Sequence, residues 1–302
     1  MDINDFLYRP RFIDIALWLS RIVPTAVGYR LADFVAGRIA AQKQSPTTRA
    51  IRANQWVVNG EQLSANELDQ IVLDTLQHTA RCTFDLFHYA NDLNAAKDHI
   101  VYGPRTENLL QMNMEGNLNV IGLGVHLSNF DMVAQAAYFR GLHALAISLP
   151  ETGGAVGRQH ALREKAGFEI LPASKSTMRE AIRRLQGGEC VLSAIDRPIE
   201  DTKYFPRFFG RPAPLPILSI HLALKTKVPI VVLANIKRPD GKYHILASDF
   251  IEMQPHPDRN TELLQNAETI LDIAAGFIRQ APYQWGMPKP VWPSAYDEVP
   301  WG

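Results

Sequence analysis

Val120-Ile121-Gly122-Leu123-Gly124-Val125-His126-Leu127-Ser128-Asn129-Phe130-Asp131 decides the fold. Residues 118–125 are a short apolar run ending in small residues, the pattern of a buried strand. Residues 131–140 return to helical spacing, and Ser128-Asn129 between them is turn and cap chemistry. A strand passing through a polar turn into a helix is the unit of an α/β sheet. Residues just past the carboxyl end of such a strand lie where α/β folds hold their ligands. His126 is therefore the first candidate for chemistry.

The same alternation continues outward. Further strand-like runs fall at 142–148, 168–171, 190–195, 230–234 and 243–251. Helical segments are expected at 155–166, 177–185, 215–225 and 261–279. Upstream the pattern is helical throughout. Phe12, Ile15, Ala16, Leu19, Ile22 and Val23 share one face until Pro24 ends that helix, and Leu31, Phe34, Val35 and Ile39 begin another. Ser64-Ala65-Asn66-Glu67 is a capping box opening a long helix from Ala65 to about Tyr89. The expected fold is α/β: a mixed, largely parallel central sheet flanked by helices, with an α-helical N-terminal part. One domain is expected over 1–302, with a mostly helical, membrane-facing 1–100, an α/β catalytic body over 101–285 and an extended surface tail over 286–302.

Composition excludes several classes. With 31 basic and 31 acidic side chains the chain lacks the basic excess of a general nucleic-acid binder. Two cysteines, Cys82 and Cys190, rule out a disulfide scaffold or a multi-cysteine metal site and read as buried thiols. Residues 12–41 are the most apolar stretch near the start. Asp14, Arg21, Pro24, Arg30, Asp33 and Arg38 interrupt it, so no spanning helix is expected, and Asp2 and Asp5, where a signal would be basic, with no small-residue cleavage site after an apolar run, argue against a cleavable signal. Residues 1–52 nevertheless carry eight basic and four acidic groups among many large apolar ones. That combination suits either a helix lying on an anionic membrane or an amphipathic helix packed on its own core.

On a regular helix, side chains five residues apart diverge by about 140°. His126 and Asp131 can meet only across an intervening turn, which Ser128-Asn129 supplies. In that geometry the carboxylate holds one ring nitrogen and leaves the other as a base. Asp131 can equally serve only to cap its helix, and the spacing alone leaves both readings open. Ser128 lacks the G-x-S-x-G surroundings of a hydrolase nucleophile, and His160 and His221 read as structural.

The wider sequence resembles the bacterial lysophospholipid acyltransferase superfamily. Within it the chain is most similar to the lipid A lauroyl/myristoyl and phosphatidylinositol mannoside acyltransferases. The residues that carry this are Gly124-Val125-His126-Leu127-Ser128-Asn129-Phe130-Asp131, Arg163 followed by Gly167, Gly187-Gly188 before a strand ending at Asp196-Arg197, Phe208-Phe209-Gly210-Arg211-Pro212, Lys225-Thr226-Lys227-Val228-Pro229 and Pro282-x-Gln284-Trp285. Arg49-x-x-Arg52-Ala53-Asn54 resembles an element ahead of the long helix. The blocks occur in family order over most of the chain. One departure is that Gly286-Met287-Pro288-Lys289-Pro290 stands where the lipid A branch carries a basic segment, which speaks against a lipid A acceptor, and the N-terminal region has no uninterrupted membrane anchor, which leans toward a peripheral enzyme like the mannoside branch.

The resemblance implies a glycerol-3-phosphate acyltransferase-like fold. It also implies O-acyl transfer from acyl-CoA or acyl-ACP, as co-substrate without a cofactor, to a hydroxyl of a membrane glycolipid or phospholipid. His126 would be the general base, Asp131 its orienting acid and Glu200 a second carboxylate beside it. Arg163, Arg197 and Asn129 would bind substrate. The expected place is peripheral, on the cytoplasmic face of the inner or plasma membrane, against an anionic lipid surface and with no nucleic acid. Two other classes remain: a metal-dependent hydrolase using His126, Asp131 and Asp196, and a catalytically silent lipid-binding protein of the same fold.

Overall fold

Pro24, with no N–H to donate, stands immediately before helix α1 (Thr25–Ala40). The computed structural model describes residues 20, 22–90, 92–148, 163–164 and 166–301. α1 packs along α3 (Ala65–Tyr89), and Gly28 is what permits the approach. A Cβ there would lie 2.2 Å from Phe84 Cε2. Between them, α2 (Pro46–Val58) starts with Pro46 in its first turn and Ser45 accepting the Thr48 N–H. α3 opens with the Ser64–Glu67 capping box read from the sequence, both reciprocal bonds formed.

The α/β body follows as α4 (Leu93–Lys97), β1 (Ile100–Tyr102), α5 (Pro104–Met114), β2 (Ile121–Gly124), α6 (Phe130–Phe139), β3 (Ala144–Ser148) and β4 (Glu169–Pro172). Next come α7 (Lys175–Gln186), β5 (Cys190–Ala194), a small β6–β7 hairpin (Arg207–Phe208 and Arg211–Pro212), α8 (Leu218–Thr226), β8 (Ile230–Lys237), β9 (Tyr243–Ala247) and α9 (Arg259–Ile278). A 3-10 turn at Pro282–Gln284 and α10 (Ala295–Glu298) close the chain. The seven-stranded sheet runs β1-β9-β8-β2-β5-β3-β4. β8, β2, β5, β3 and β4 are parallel; β9 is antiparallel to β8, and β1 is parallel to β9. Ile121, Leu123, Val191, Ile230 and Val232 are fully buried, which is why the central strands read as unbroken apolar runs rather than alternating ones.

A buried polar knot ties the N-terminal helices to the sheet. The Asp85 carboxylate on α3 accepts from Tyr29 on α1 at 2.8 Å, from Tyr243 at the start of β9 at 2.5 Å and from Lys237 at the end of β8 at 2.9 Å. Three donors offset the cost of a buried charge. Burial and the neighbouring carboxylate push both phenols well above their usual range.

Several expectations need adjusting. The helix expected at 155–166 and the one built on Phe12 to Leu19 lie almost wholly outside the described residues. α5, β1 and the β6–β7 hairpin were not legible, α2 was expected only as part of the helical N-terminal stretch, and the last strand stops at Ala247, leaving an Ile251 bridge to Ile230. Residues 286–301 are not a surface tail. Val291 and Trp292 are buried, and Trp292 stacks on Phe208 with centroids 5.5 Å apart. Asn54 holds the segment by bonding Met287 O, Lys289 O and Val291 N, while the buried Arg52 guanidinium donates to Pro300 O. Prolines keep this stretch from forming a long helix. Its Val and Trp side chains still gain about 1.5–3 kcal/mol each by burial, so it enters the core as an irregular strap.

Candidate active site

Strand register builds the site. β2 and β5 are parallel neighbours, with Gly124 opposite Ala194. Each chain runs two residues further, one to His126 and the other to Asp196, so these side chains emerge side by side at the carboxyl edge of the sheet. His126 Nδ1 lies 2.6 Å from Asp196 Oδ1, and the His126 backbone N–H donates to Oδ2 at 2.9 Å. Oδ2 also accepts the Trp285 indole N–H at 2.8 Å. Asp196 is wholly buried, whereas the His126 side chain keeps 21% of its surface. Burial alone would push the Asp196 carboxyl up. The His126 charge and hydrogen bonds, with the Trp285 N–H, hold it below the usual carboxylate range. An ionised carboxylate only accepts, so Nδ1 donates to it, and a neutral ring in that hydrogen bond presents Nε2 as its unprotonated nitrogen. The Phe130 ring meets the imidazole edge-on at 4.6 Å.

The loop between His126 and α6 is fixed at each residue. Asn235 Nδ2 donates to Leu127 O at 2.9 Å, and Ser128 N donates to Gln284 O at 2.9 Å. Ser128 takes a left-handed backbone, φ 54°, which costs a non-glycine residue about 1 kcal/mol. Its hydroxyl is 2.9 Å from His78 Nε2 on α3. Burial, with the Lys237 and Arg81 charges, pushes His78 down to about 3, so this histidine is neutral and structural at neutral pH.

The structure corrects the residue assignments made from sequence. Asp131 is not the orienting acid. It lies in the first turn of α6, beyond the left-handed turn, and its Oδ1 accepts from Arg163 Nε at 2.7 Å. Register brings Asp196, not Asp131, to the ring. The carboxylate beside His126 is also not Glu200, which is exposed four residues along the loop and, among the described residues, makes no bond to the imidazole. Asn129 is not available to substrate. It is buried, its oxygen caps α6 through Met132 N, and its amide donates to Cys82 O at 3.0 Å. Arg163 is half-buried on Asp131, and Arg197 is half-buried next to Asp196. Sequence reasoning did not place Asp196 or Trp285 beside the ring, nor His78 on Ser128. Asp196 had one legible signal: it follows its strand by the same two residues as His126 follows β2. That offset means something only when the two strands are known to be neighbours.

Among the described residues, no three His, Cys, Asp or Glu side chains gather as a metal site. No described helix is long and apolar enough to cross a membrane. A hydrogen-bonded histidine–aspartate pair with a free ring nitrogen at a sheet's carboxyl edge can take a proton from an attacking group and return it to a leaving group. A comparison with protein families matches residues 9–293 to the one described as bacterial lipid A biosynthesis acyltransferase. No curated protein matches the chain.

Proposed function

From a chain that belongs to the bacterial lipid A biosynthesis acyltransferase family, and is thus an acyltransferase acting on a glycolipid, we propose one specific reaction. A fatty acyl group passes from an acyl thioester, coenzyme A or acyl carrier protein, to a hydroxyl of a membrane glycolipid. The observation that carries this reading is the 2.6 Å bond from His126 Nδ1 to a buried carboxylate, which leaves Nε2 as a base.

In the proposed step, Nε2 accepts the hydroxyl proton while the oxygen attacks the thioester carbonyl carbon. Asp196 stabilises the imidazolium that forms, and its second oxygen is occupied, so the ring cannot exchange partners. The tetrahedral adduct then expels the thiolate, which recovers the proton from His126 as free thiol. An alcohol holds its proton far more tightly than imidazole does. General-base help of this kind contributes about 10²–10⁴ in rate. No cofactor enters the balance.

Arg163 and Arg197 are the proposed anchors for donor or acceptor phosphate. Arg163 already shares its charge with Asp131, and an arriving phosphate would compete for the same guanidinium by charge-assisted bonds. The proposed membrane face is α1. Val27, Leu31 and Phe34 recur along one of its sides and are exposed, Phe34 by 66%, with Arg30 and Arg38 exposed beside them. Apolar groups flanked by cations suit the surface of an anionic bilayer. Peripheral attachment at the cytoplasmic face, where acyl thioesters are made, follows from this reading.

His126→Ala tests it. Membrane lipids from cells with and without the chain are compared by mass spectrometry, and purified protein is assayed for thiol release from acyl-coenzyme A and acyl carrier protein donors. The reading expects the acylated glycolipid to disappear with His126→Ala while the protein stays folded. Undiminished transfer would overturn it, and lipid binding with no turnover by the unmodified chain would favour the silent lipid-binding alternative.

A further inference from the structure

The segment Pro282–Gln284 and the following Trp285 take no part in the reaction just described, yet they hold its carboxylate and the loop that follows its histidine. Trp285 is wholly buried and cannot reach substrate. An indole N–H only donates, so a buried tryptophan must find an acceptor. Here the acceptor is Asp196 Oδ2, at 2.8 Å. Next to it, Gln284 accepts the Ser128 N–H with its backbone carbonyl, two residues beyond His126.

The segment is itself held rigidly. The Gln284 side-chain oxygen accepts Lys237 N, and its amide donates to Lys237 O, both at 2.8 Å. From the opposite side Gln55 Nε2 donates to Pro282 O at 2.8 Å and to Trp285 O at 3.0 Å. The indole also packs among Phe208 and Trp292, each 6.1 Å away between centroids. A strut fixed to α2 and β8 thus ends on the carboxylate.

We propose that Trp285 is a positioning residue for acyl transfer, acting through Asp196, and that this deepens, and rests on, the His126–Asp196 reading above. The carboxylate has two oxygens and three donors. Trp285 and the His126 backbone N–H both claim Oδ2, which stops the carboxylate from rotating and commits Oδ1 to His126 Nδ1. Without the indole N–H, both oxygens are held only by His126 itself, so nothing outside the dyad anchors the carboxylate and the ring's aim is less fixed.

The test is a double-mutant cycle on the full chain. The probe is radiolabelled acyl-coenzyme A or acyl carrier protein, with whichever chain length the unmodified chain turns over fastest on a bacterial glycolipid extract. Trp285→Phe is expected to lower kcat by about ten- to a hundredfold, the size of one lost bond to a charged group, with KM for the donor unchanged. In an Asp196→Asn background it should cause no further loss. Trp292→Phe is the matched control. It removes a buried indole N–H, bonded to Phe208 O at 3.1 Å, from the same aromatic cluster but away from Asp196. It should lower the melting temperature comparably and leave kcat unchanged.

Should Trp285→Phe fail to fold, benzothienylalanine at position 285 keeps the bicyclic shape and deletes only the N–H. Unchanged kcat in Trp285→Phe or its isostere, a loss that multiplies with Asp196→Asn, or an equal kcat loss in Trp292→Phe would each overturn the positioning role alone. If Asp196→Asn by itself leaves kcat intact, the dyad falls and this proposal falls with it.

Discussion

Asp196→Asn exchanges one carboxylate oxygen for an amide nitrogen, and the hydrogen bonds dictate which one. The Oδ2 position receives two donors, the His126 N–H at 2.9 Å and the Trp285 N–H at 2.8 Å. An amide nitrogen there would set donor against donor twice, each clash leaving a buried polar group unpaired at about 1–3 kcal/mol. The asparagine must therefore turn its oxygen to Oδ2 and its NH2 to the site of Oδ1, 2.6 Å from His126 Nδ1. That NH2 donates to Nδ1 and forces the proton onto Nε2, where the base should be. The variant also loses the negative charge that steadies the imidazolium. In other enzymes that use a histidine base, the same exchange of an orienting aspartate costs about 10⁴ in kcat. Here a loss of about 10³–10⁴ is expected, or roughly 4–5.5 kcal/mol at 1.36 kcal/mol per decade. Thiol release from labelled acyl thioester reads the rate, and circular dichroism reads the fold. Asp131→Asn, which alters the Arg163 pair and leaves the His126–Asp196 bond in place, should lose far less. A tenth or more of the activity surviving in Asp196→Asn, or a larger loss in Asp131→Asn, would refute the argument.

Two other outcomes follow from charge and exposure. His78 is pushed down to about 3 in the fold, against an ordinary value of about 6.5, so between those pH values the unfolded chain binds the extra proton. Stability should therefore fall as pH drops below about 6.5, with His78 contributing a slope of up to about 1.4 kcal/mol per pH unit. His78→Gln should flatten that slope in denaturant titrations at pH 7, 6 and 5, and an unchanged slope would contradict a buried neutral ring. On the membrane side, Leu31→Ser with Phe34→Ser should weaken sedimentation with anionic liposomes about a hundredfold or more, since the two exposed side chains together give up about 3–6 kcal/mol of possible burial. Binding indifferent to these changes and to salt would make the α1 stripe a solvated face.

The reading of particular residues shows where local pattern suffices. Ser64-Ala65-Asn66-Glu67 marked the start of α3 to the residue, because a capping box is satisfied by atoms three positions apart. The apolar runs around Ile121, Val191 and Ile230 marked β2, β5 and β8, because strands buried on both faces admit little else. β1 and the β6–β7 hairpin carried no such pattern. They are two or three residues long, and their pairing partners lie elsewhere in the chain or across a tight turn. Residues 286–301 misled for a related reason. Proline density signals irregular backbone truthfully, but irregular backbone is compatible with a buried Trp292 when Asn54 and Arg52 satisfy its carbonyls.

His126 was legible because its place is local: an apolar strand, a turn and a helix in one twelve-residue stretch. Its partner was not. Asp131 is five residues away and Asp196 seventy, and chain proximity favours the first. Sequence by itself determined the alternation of strands and helices and the sheet edge at which His126 stands. Only tertiary structure decided which acid meets the ring and what holds that acid. Neighbouring parallel strands bring equal offsets side by side whatever their separation along the chain, and the order of strands in the sheet is set by burial of the whole core.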